Sequence, residues 1–343
     1  MLAVVGATGR TGSLVAEVAV ARGLDVLLVG RDEVVLAALG RRLGRPWVAA
    51  TVDGDALPRA LERADVVVNV AGPFDATAEP VLKAAIASRT SYLDLSNDLA
   101  PVLAVLRADG ALTAAGISAT PAVGFGTVAT DGLARLLTER IPDGVRLRLG
   151  MAIGSDGGSR GVAASAREVV RAGARRLEAG VLERAPLGRG AYRAPDNGPL
   201  LVPVGLADLA ITPLTTGIHS VAVGVAMPLP RPAARLVLPA VAAAAKRLPA
   251  LPPSRPRPRP RQGDREPVSR AWAELTVADG TTAWASLRTG DGFRFSAEAA
   301  VAAAERVLAG DAEPGSGTAS GRWGSAFLAA LPDVRIETSP GLR

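Results

Sequence analysis

At 343 residues the chain is long enough for two domains with a sizeable buried core. It has no cysteine and a single histidine, His219, which excludes disulfides, thiolate nucleophiles and a His-rich metal cluster, so no metal is expected. The formal net charge is +6, but only Lys83 and Lys246 are lysines and aromatic residues make up 3%; arginine scattered through an Ala-, Gly- and Pro-rich composition lacks the basic–aromatic stripe of a nucleic-acid binder, and no nucleic-acid partner is expected.

The apolar run near Met1 is broken at Gly6, so it does not read as a signal peptide. The longest near-continuous apolar stretch, Leu236 to Ala245, is too short to cross a bilayer and contains Pro239. A cytoplasmic protein without a membrane span is the expectation.

In chain order, "LAVVGA", "DVLLVG", "WVAATVD", "DVVVNVAG" and "SYLDLS" are short apolar runs separated by amphipathic segments. That alternation predicts an α/β Rossmann domain, a doubly wound parallel sheet, over residues 1–118. The pattern then changes. "VRLRLGMAIGS" alternates like a half-exposed strand, and "SAREVVRAGARRLEAG" reads as an amphipathic helix. "SVAVGVAMPLP" is strand-like, and "RAWAELTVADGTTAWASLRTG" is a hairpin about Asp279-Gly280. A second α+β domain with a mostly antiparallel sheet is therefore expected over 119–295, serving substrate binding and dimerisation, with 248–270 an exposed Arg/Pro loop. "SAEAAVAAAERVLAG" and "GRWGSAFLAALP" predict C-terminal helices over 296–343 that pack back on the Rossmann domain. The hairpin and "SVAVGVAMPLP" are expected to form an exposed sheet that pairs two copies into a homodimer.

Gly6, Thr8, Gly9, Arg10, Thr11 and Gly12 lie in a G-x-x-G-x-x-G turn between a strand and a helix. Such glycines allow a tight turn and close approach of a pyrophosphate to the backbone, and the helix offers free N–H groups. The residue after the second strand selects the nucleotide. An NAD site offers a carboxylate there; here Arg31 stands in that place and Asp32 one position on, which predicts NADP(H). Arg10 is a second candidate phosphate contact. Asp53, read as the end of the third strand, is expected near the adenine. Ala71, Gly72, Pro73 and Phe74, after the fourth strand, are expected beside the nicotinamide, where Gly72-Pro73 makes a rigid bend.

Together the motifs resemble the saccharopine dehydrogenase-like (saccharopine reductase-type) oxidoreductases, a family that includes trans-acting enoyl reductases. The resemblance rests on "GATGRTG", "VGR", "DVVVNVAGPF", "SYLDLSND", "VGFGTVATDGLARLL", "GSDGGSRGVAASAREVV", "DLAITPLTTGI" and "AVAAAERVLAG". It implies an NADP-binding Rossmann domain joined to a substrate domain, and reduction or oxidative formation of a C=N or C=C bond beside a carbonyl or carboxylate. The chain departs from the family pattern at Asn97-Asp98, where Gly-Glu is usual, at Gly126, where Asp is common, and at Ala129, where Pro is common. Leu206, Pro213 and Leu214 stand where relatives often carry Trp, Tyr and His.

The Tyr-x-x-x-Lys pair of short-chain reductases is missing, because Tyr92 is followed by Ser96 and Tyr192 by Asp196. Hydride transfer organised by positioning remains. Candidate proton donors or orienting groups are Asp94, Asp98, Tyr192 and His219. Three of them have a plainer reading: Asp94 as a solvent-facing strand residue, Tyr192 as a surface lid, and His219 as a satisfied histidine on an apolar strand. Phe125, Asp131 and Asp208 are placed on the substrate side, with Asp131 equally readable as a cap at the opening of a helix. Gly157, Gly158 and Arg160 offer N–H groups and a cation to a carboxylate, phosphate or enolate oxygen. The resulting expectation is an NADPH-dependent reductase of a C=N bond in a small carboxylate- or amine-derived substrate. The alternatives are C=C reduction of a conjugated, carrier-bound or lipid-like acceptor, and an NADP-binding regulator without activity.

Overall fold

The computed structural model describes residues 1–154, 173–195, 197–227, 238–239 and 267–340. The chain divides into two compact units, one of Met1–Val128 with Phe293–Arg322, the other of Ala129–Gly292 with Trp323–Arg343.

The first unit opens with β1 (Leu2–Val5), α1 (Arg10–Ala21), β2 (Val26–Gly30), α2 (Glu33–Leu43), β3 (Trp47–Ala49), α3 (Ala56–Leu61) and β4 (Val66–Asn69). It continues through α4 (Phe74–Ser88), β5 (Ser91–Asp94), α5 (Leu99–Arg107), α6 (Asp109–Ala115) and β6 (Ser118–Thr120). The sequences of β1, β2 and β4 are apolar almost throughout and every residue in them is buried, as a parallel sheet covered on both faces requires. Helix α2 is delimited by its own ends: the Asp32 carboxylate accepts from the Val35 N–H at 3.1 Å, and Gly44 closes the helix at φ +64°.

From α7 (Phe125–Arg140) the chain enters the second unit, with β7 (Gly144–Ala152), β8 (Ala174–Glu178), β9 (Val181–Ala185), β10 (Tyr192–Arg193) and β11 (Leu200–Pro203). There follow α8 (Asp208–Thr216), β12 (Val221–Met227), β13 (Ser269–Val277) and β14 (Thr282–Thr289). The last elements are α9 (Gly292–Leu308), β15 (Gly315–Ser316), α10 (Ala319–Ala329) and β16 (Arg335–Thr338).

The first sheet has the order β15-β6-β5-β4-β1-β2-β3, and all its pairings are parallel. The chain reverses its direction of winding between β1 and β4, so the crevice beyond their carboxyl ends is the switch point at which such sheets bind ligands. The second sheet runs β10-β11-β12-β7-β13-β14-β16, with β8 joined to β12 and to β9. It is mostly antiparallel; β12 and β7 are parallel. Both sheet types agree with the fold class read from the sequence.

Four local readings change. Residues Ala174–Glu178, read as the end of an amphipathic helix, form a strand that pairs with β9. The two residues between them, Ala179 and Gly180, both have positive φ, +47° and +82°, the two-residue turn whose twist matches a hairpin. The third strand stops at Ala49, so Asp53 lies in an exposed turn beyond it. Helix α7 starts at Phe125, which puts Asp131 inside the helix rather than at its opening. After α10 the last described element is a strand: β16 pairs with β14 in the second sheet. β12, β13 and β14 are interior strands of that sheet, so they present faces and no free edge. Most of the 248–270 loop lies outside the described residues.

Candidate functional site

The glycine turn sits on the carboxyl end of β1. Gly6 has φ +88°, and its N–H and that of Ala7 donate to the Val29 carbonyl at 2.9 and 3.1 Å, which holds the turn against β2. A Cβ on Gly12 would lie 2.1 Å from the Gly6 carbonyl oxygen, and one on Gly6 would lie 2.8 Å from the backbone of Ala71. Neither position has room for a side chain. Helix α1 therefore begins directly on the strand end, with Gly9 at its N-cap and no side chain closing its first N–H groups. Such a turn, with bare N–H groups and the positive end of a twelve-residue helix, fits a pyrophosphate. Thr8 and Thr11 complete it, Thr8 lying near Gly30 at the end of β2.

Arg31 is exposed directly after β2. Asp32, the carboxylate that could suggest a ribose contact, is used as the cap of α2. The Arg10 guanidinium lies 4.0 Å from the centre of the Phe293 ring, so this candidate phosphate contact is engaged with an aromatic face. Asp53 lies in its exposed turn four residues beyond β3.

On the other side of the switch point, β4 ends in Asn69, whose side-chain oxygen accepts from the Ala71 N–H at 3.1 Å. The Gly72-Pro73 peptide is cis, Pro73 caps α4, and the Thr77 hydroxyl donates to the Ala71 carbonyl. Ala71, Gly72, Pro73 and Phe74 are thus fixed beside the glycine turn.

Asp94, at the end of β5, is fully buried and does not face solvent. Its carboxylate accepts from the Tyr92 hydroxyl at 2.8 Å and from the Ser96 and Ala122 N–H groups, both at 2.9 Å. Burial pushes its pKa up to about 6, against the lowering effect of those donors. With its oxygens so engaged, Asp94 ties the loop after β5 to the loop after β6, a positioning role. Asn69, Tyr92, Ser96 and Ala122 were not singled out from the sequence; the legible signal was an asparagine inside the apolar run "DVVVNV". Asp98 is half-buried just before α5. Its neighbour Asn97 accepts from the Thr127 hydroxyl at 3.1 Å. Phe125 is buried edge-on against Phe295, with ring centres 5.2 Å apart.

The remaining candidates belong to the second unit. Tyr192 is buried among sheet residues; its hydroxyl donates to the Leu149 carbonyl, with the Ala222 carbonyl 3.3 Å away, and burial pushes its pKa up. It is not a surface lid. His219 lies exposed in the loop before β12, not on the strand, and its carbonyl accepts from the Gly180 N–H at 2.8 Å. Asp131 and Asp208 are buried: the Thr215 hydroxyl donates to Asp131 at 2.9 Å, and the Thr130 hydroxyl donates to Asp208. Burial, with Asp131 as a nearby like charge, pushes Asp208 up to about 7. Leu206 is buried, whereas Leu214 is 64% exposed on α8. Gly157, Gly158 and Arg160 lie outside the described residues. Among the described residues no group of three or more His, Cys, Asp or Glu could hold a metal, and no helix is long and apolar enough to cross a membrane.

These elements define a dinucleotide-binding Rossmann unit accompanied by a mostly antiparallel α+β unit. Residues 2–119 match the family model of the saccharopine dehydrogenase NADP binding domain, so the first unit carries an NADP-binding domain of that type. Two Mycobacterium tuberculosis proteins named as trans-acting enoyl reductases, from strains H37Rv and CDC 1551, are each 35% identical to this chain over 102 residues. Those matches cover 27% of this chain and 24%, about a quarter, of each relative. A solved saccharopine dehydrogenase (L-Glu forming) from Saccharomyces cerevisiae shares the fold at TM-score 0.65 and 16% identity, over 98% of this chain and 99% of that one. A homospermidine synthase from Legionella pneumophila, solved with NAD, does so at TM-score 0.62 and 10% identity, over 98% and 91%.

Gly12→Ala is expected to lower stability by roughly 1–3 kcal/mol, because the new methyl meets backbone that cannot turn aside. It should also abolish the rise in melting temperature that NADPH gives the unchanged protein; a rise of the original size would overturn this account of the turn. Asp94 and Asp208 hold their protons more tightly folded than unfolded, so the stability they contribute is fullest at acid pH and falls as pH rises from about 4 to about 7. Asp208→Asn, which can still accept from Thr130, should flatten that fall in a series of thermal melts and raise the melting temperature at neutral pH.

Proposed function

We propose that the chain is an NADPH-dependent reductase acting on a C=N bond in a small carboxylate- or amine-derived substrate, as a homodimer joined through a face of its second sheet. The observation that carries the cofactor half is the division of labour at the end of β2, where Asp32 is consumed in capping α2 and Arg31 stands exposed. A carboxylate in Arg31's place would repel a 2′-phosphate; a guanidinium attracts one. Bound NADPH supplies a hydride for the acceptor carbon. The chain's own residues bind and orient: the turn from Gly6 to Gly12 takes the pyrophosphate, and the Asn69-braced bend at Ala71–Phe74 shapes the other end of the crevice.

What supports C=N is where most of the candidate acids lie. Asp94, Tyr192, Asp131 and Asp208 are all buried and already hydrogen-bonded, so none of these four is a ready proton donor; of the other two candidates, Asp98 is half-buried before α5 and His219 is exposed before β12. An iminium carries its positive charge before reduction and needs no acid during hydride attack, whereas an enoyl acceptor develops enolate charge that must be met. The fold matches add support of the same kind, since L-glutamate and homospermidine, in their names, are both amines. The enoyl reading keeps one specific support, the name of the two Mycobacterium tuberculosis relatives.

The test is NADPH consumption, followed by absorbance, with a panel of cyclic and open-chain imines beside a panel of enoyl thioesters. Turnover of an imine and not of an enoyl thioester is expected; the reverse would transfer the assignment to C=C reduction, and tight NADPH binding without turnover of either would favour the regulator. Arg31→Asp should raise the dissociation constant for NADPH by about ten- to a hundredfold and leave that for NADH unchanged. Equal losses for both would place Arg31 outside phosphate recognition.

A further inference from the structure

The second unit contains a cavity of about 690 Å³, within the size range of small-molecule sites and separate from the glycine turn. It is walled by the β8–β9 hairpin, the chain through β10 and the nearby ends of β7 and β12. Seven arginines line it against two glutamates. Both glutamates are already spent. Arg146 holds Glu178 through two hydrogen bonds of 2.6 and 3.0 Å, and Arg176 holds Glu183 through bonds of 2.6 and 2.8 Å. Arg148 reaches Glu274 at 3.4 Å and lies over the Tyr192 ring. Arg175, Arg184, Arg189 and Arg193 make no ion pair among the described residues.

Hairpin register turns this excess into a focused site. Arg176 stands opposite Glu183, the opposite-charge pairing that stabilises a ladder, but the next position sets Arg175 opposite Arg184. Like charges directly across an antiparallel pair, with Cβ atoms about 4.5–5.5 Å apart, repel unless an anion lies between or over them. Arg175 is also held in place. A Cβ on Gly205 would come within 2.7 Å of its Cδ, so the stem lies against bare backbone, and its buried Nε has no hydrogen-bond partner among the described residues. A half-desolvated guanidinium, pre-positioned beside a second one, suits a tetrahedral dianion, which can accept from both forks. Apart from Ser220, the rest of the lining is mostly apolar and includes Leu147, Leu177, Pro203, Val221 and Tyr192.

We propose that this cavity is a binding site for a phosphate monoester with an apolar body, the phosphate held between Arg175 and Arg184 and the body against the Tyr192 side. This goes beyond the reductase reading and does not depend on it. The test is isothermal titration of phenyl phosphate into the full chain at low ionic strength, with saturating NADP⁺ present to keep the ligand from the glycine turn. One site per chain is expected, at least about tenfold tighter than for inorganic phosphate, and weakened by added salt. Arg175→Ala and Arg184→Ala should each reduce the affinity about tenfold or more, Arg175→Lys less, and Arg63→Ala, in the other unit, not at all. Retention of the NADP⁺-induced rise in melting temperature shows that each variant is folded; repeating the titration without NADP⁺ separates a failure of the cofactor assignment from a failure of this one. Absence of saturable phenyl phosphate binding, affinity equal to that of inorganic phosphate, or affinity unchanged by both alanine variants would overturn the proposal.

Discussion

The carbonyl oxygen of Gly6 occupies the space that any side chain at position 12 would need. This backbone contact lets α1 start on the end of β1 with its N–H groups bare, and a second contact, Gly6 against Ala71, brings the turn after β4 up to the turn after β1. The two turns that flank the switch point are therefore set by main chain meeting main chain. Side chains such as Arg31 act on a crevice whose shape they do not determine. On the proposed reading they adjust which dinucleotide it prefers, at the level of about one or two decades of affinity.

The far wall of the same crevice is held differently. There a buried carboxylate, Asp94, collects donors from the strand below and from two loops above. Keeping an ionised group in such a place costs free energy, which the raised pKa records. What the arrangement achieves is a single geometry for the loops after β5 and β6, next to the strand ends where a Rossmann sheet receives its ligand. A reductase that relies on orientation has more use for this rigidity than for a mobile acid.

The parallel sheet was legible because its strands are buried on both faces and its turns carry glycine, the two strongest short-range signals a sequence offers. The cofactor turn was legible for the same reason. Residues 174–178 were misread because Arg175, Arg176 and Leu177 satisfy a helical spacing as easily as an alternating one, and only the Ala179-Gly180 turn decides between them. Asp131 was misplaced by six residues along α7, since no side-chain cap marks that helix opening in the sequence. Burial of Asp94, Asp131 and Asp208 could not be read at all: a carboxylate on an alternating strand or helix looks the same whether its partners are water or the hydroxyl and N–H groups that the fold brings to it. The β8–β9 register, and with it the Arg175–Arg184 pair, depends on pairing that only the fold reveals.

Positions 97 and 126 are not independent. A Cβ on Gly126 would fall 2.5 Å from the Asn97 side-chain nitrogen, so the amide fills the volume that a residue at 126 would otherwise take. A side chain at 126 requires the Asn97 amide to move aside or position 97 to shrink. The order in which substitutions at the two positions are tolerated is therefore constrained by packing.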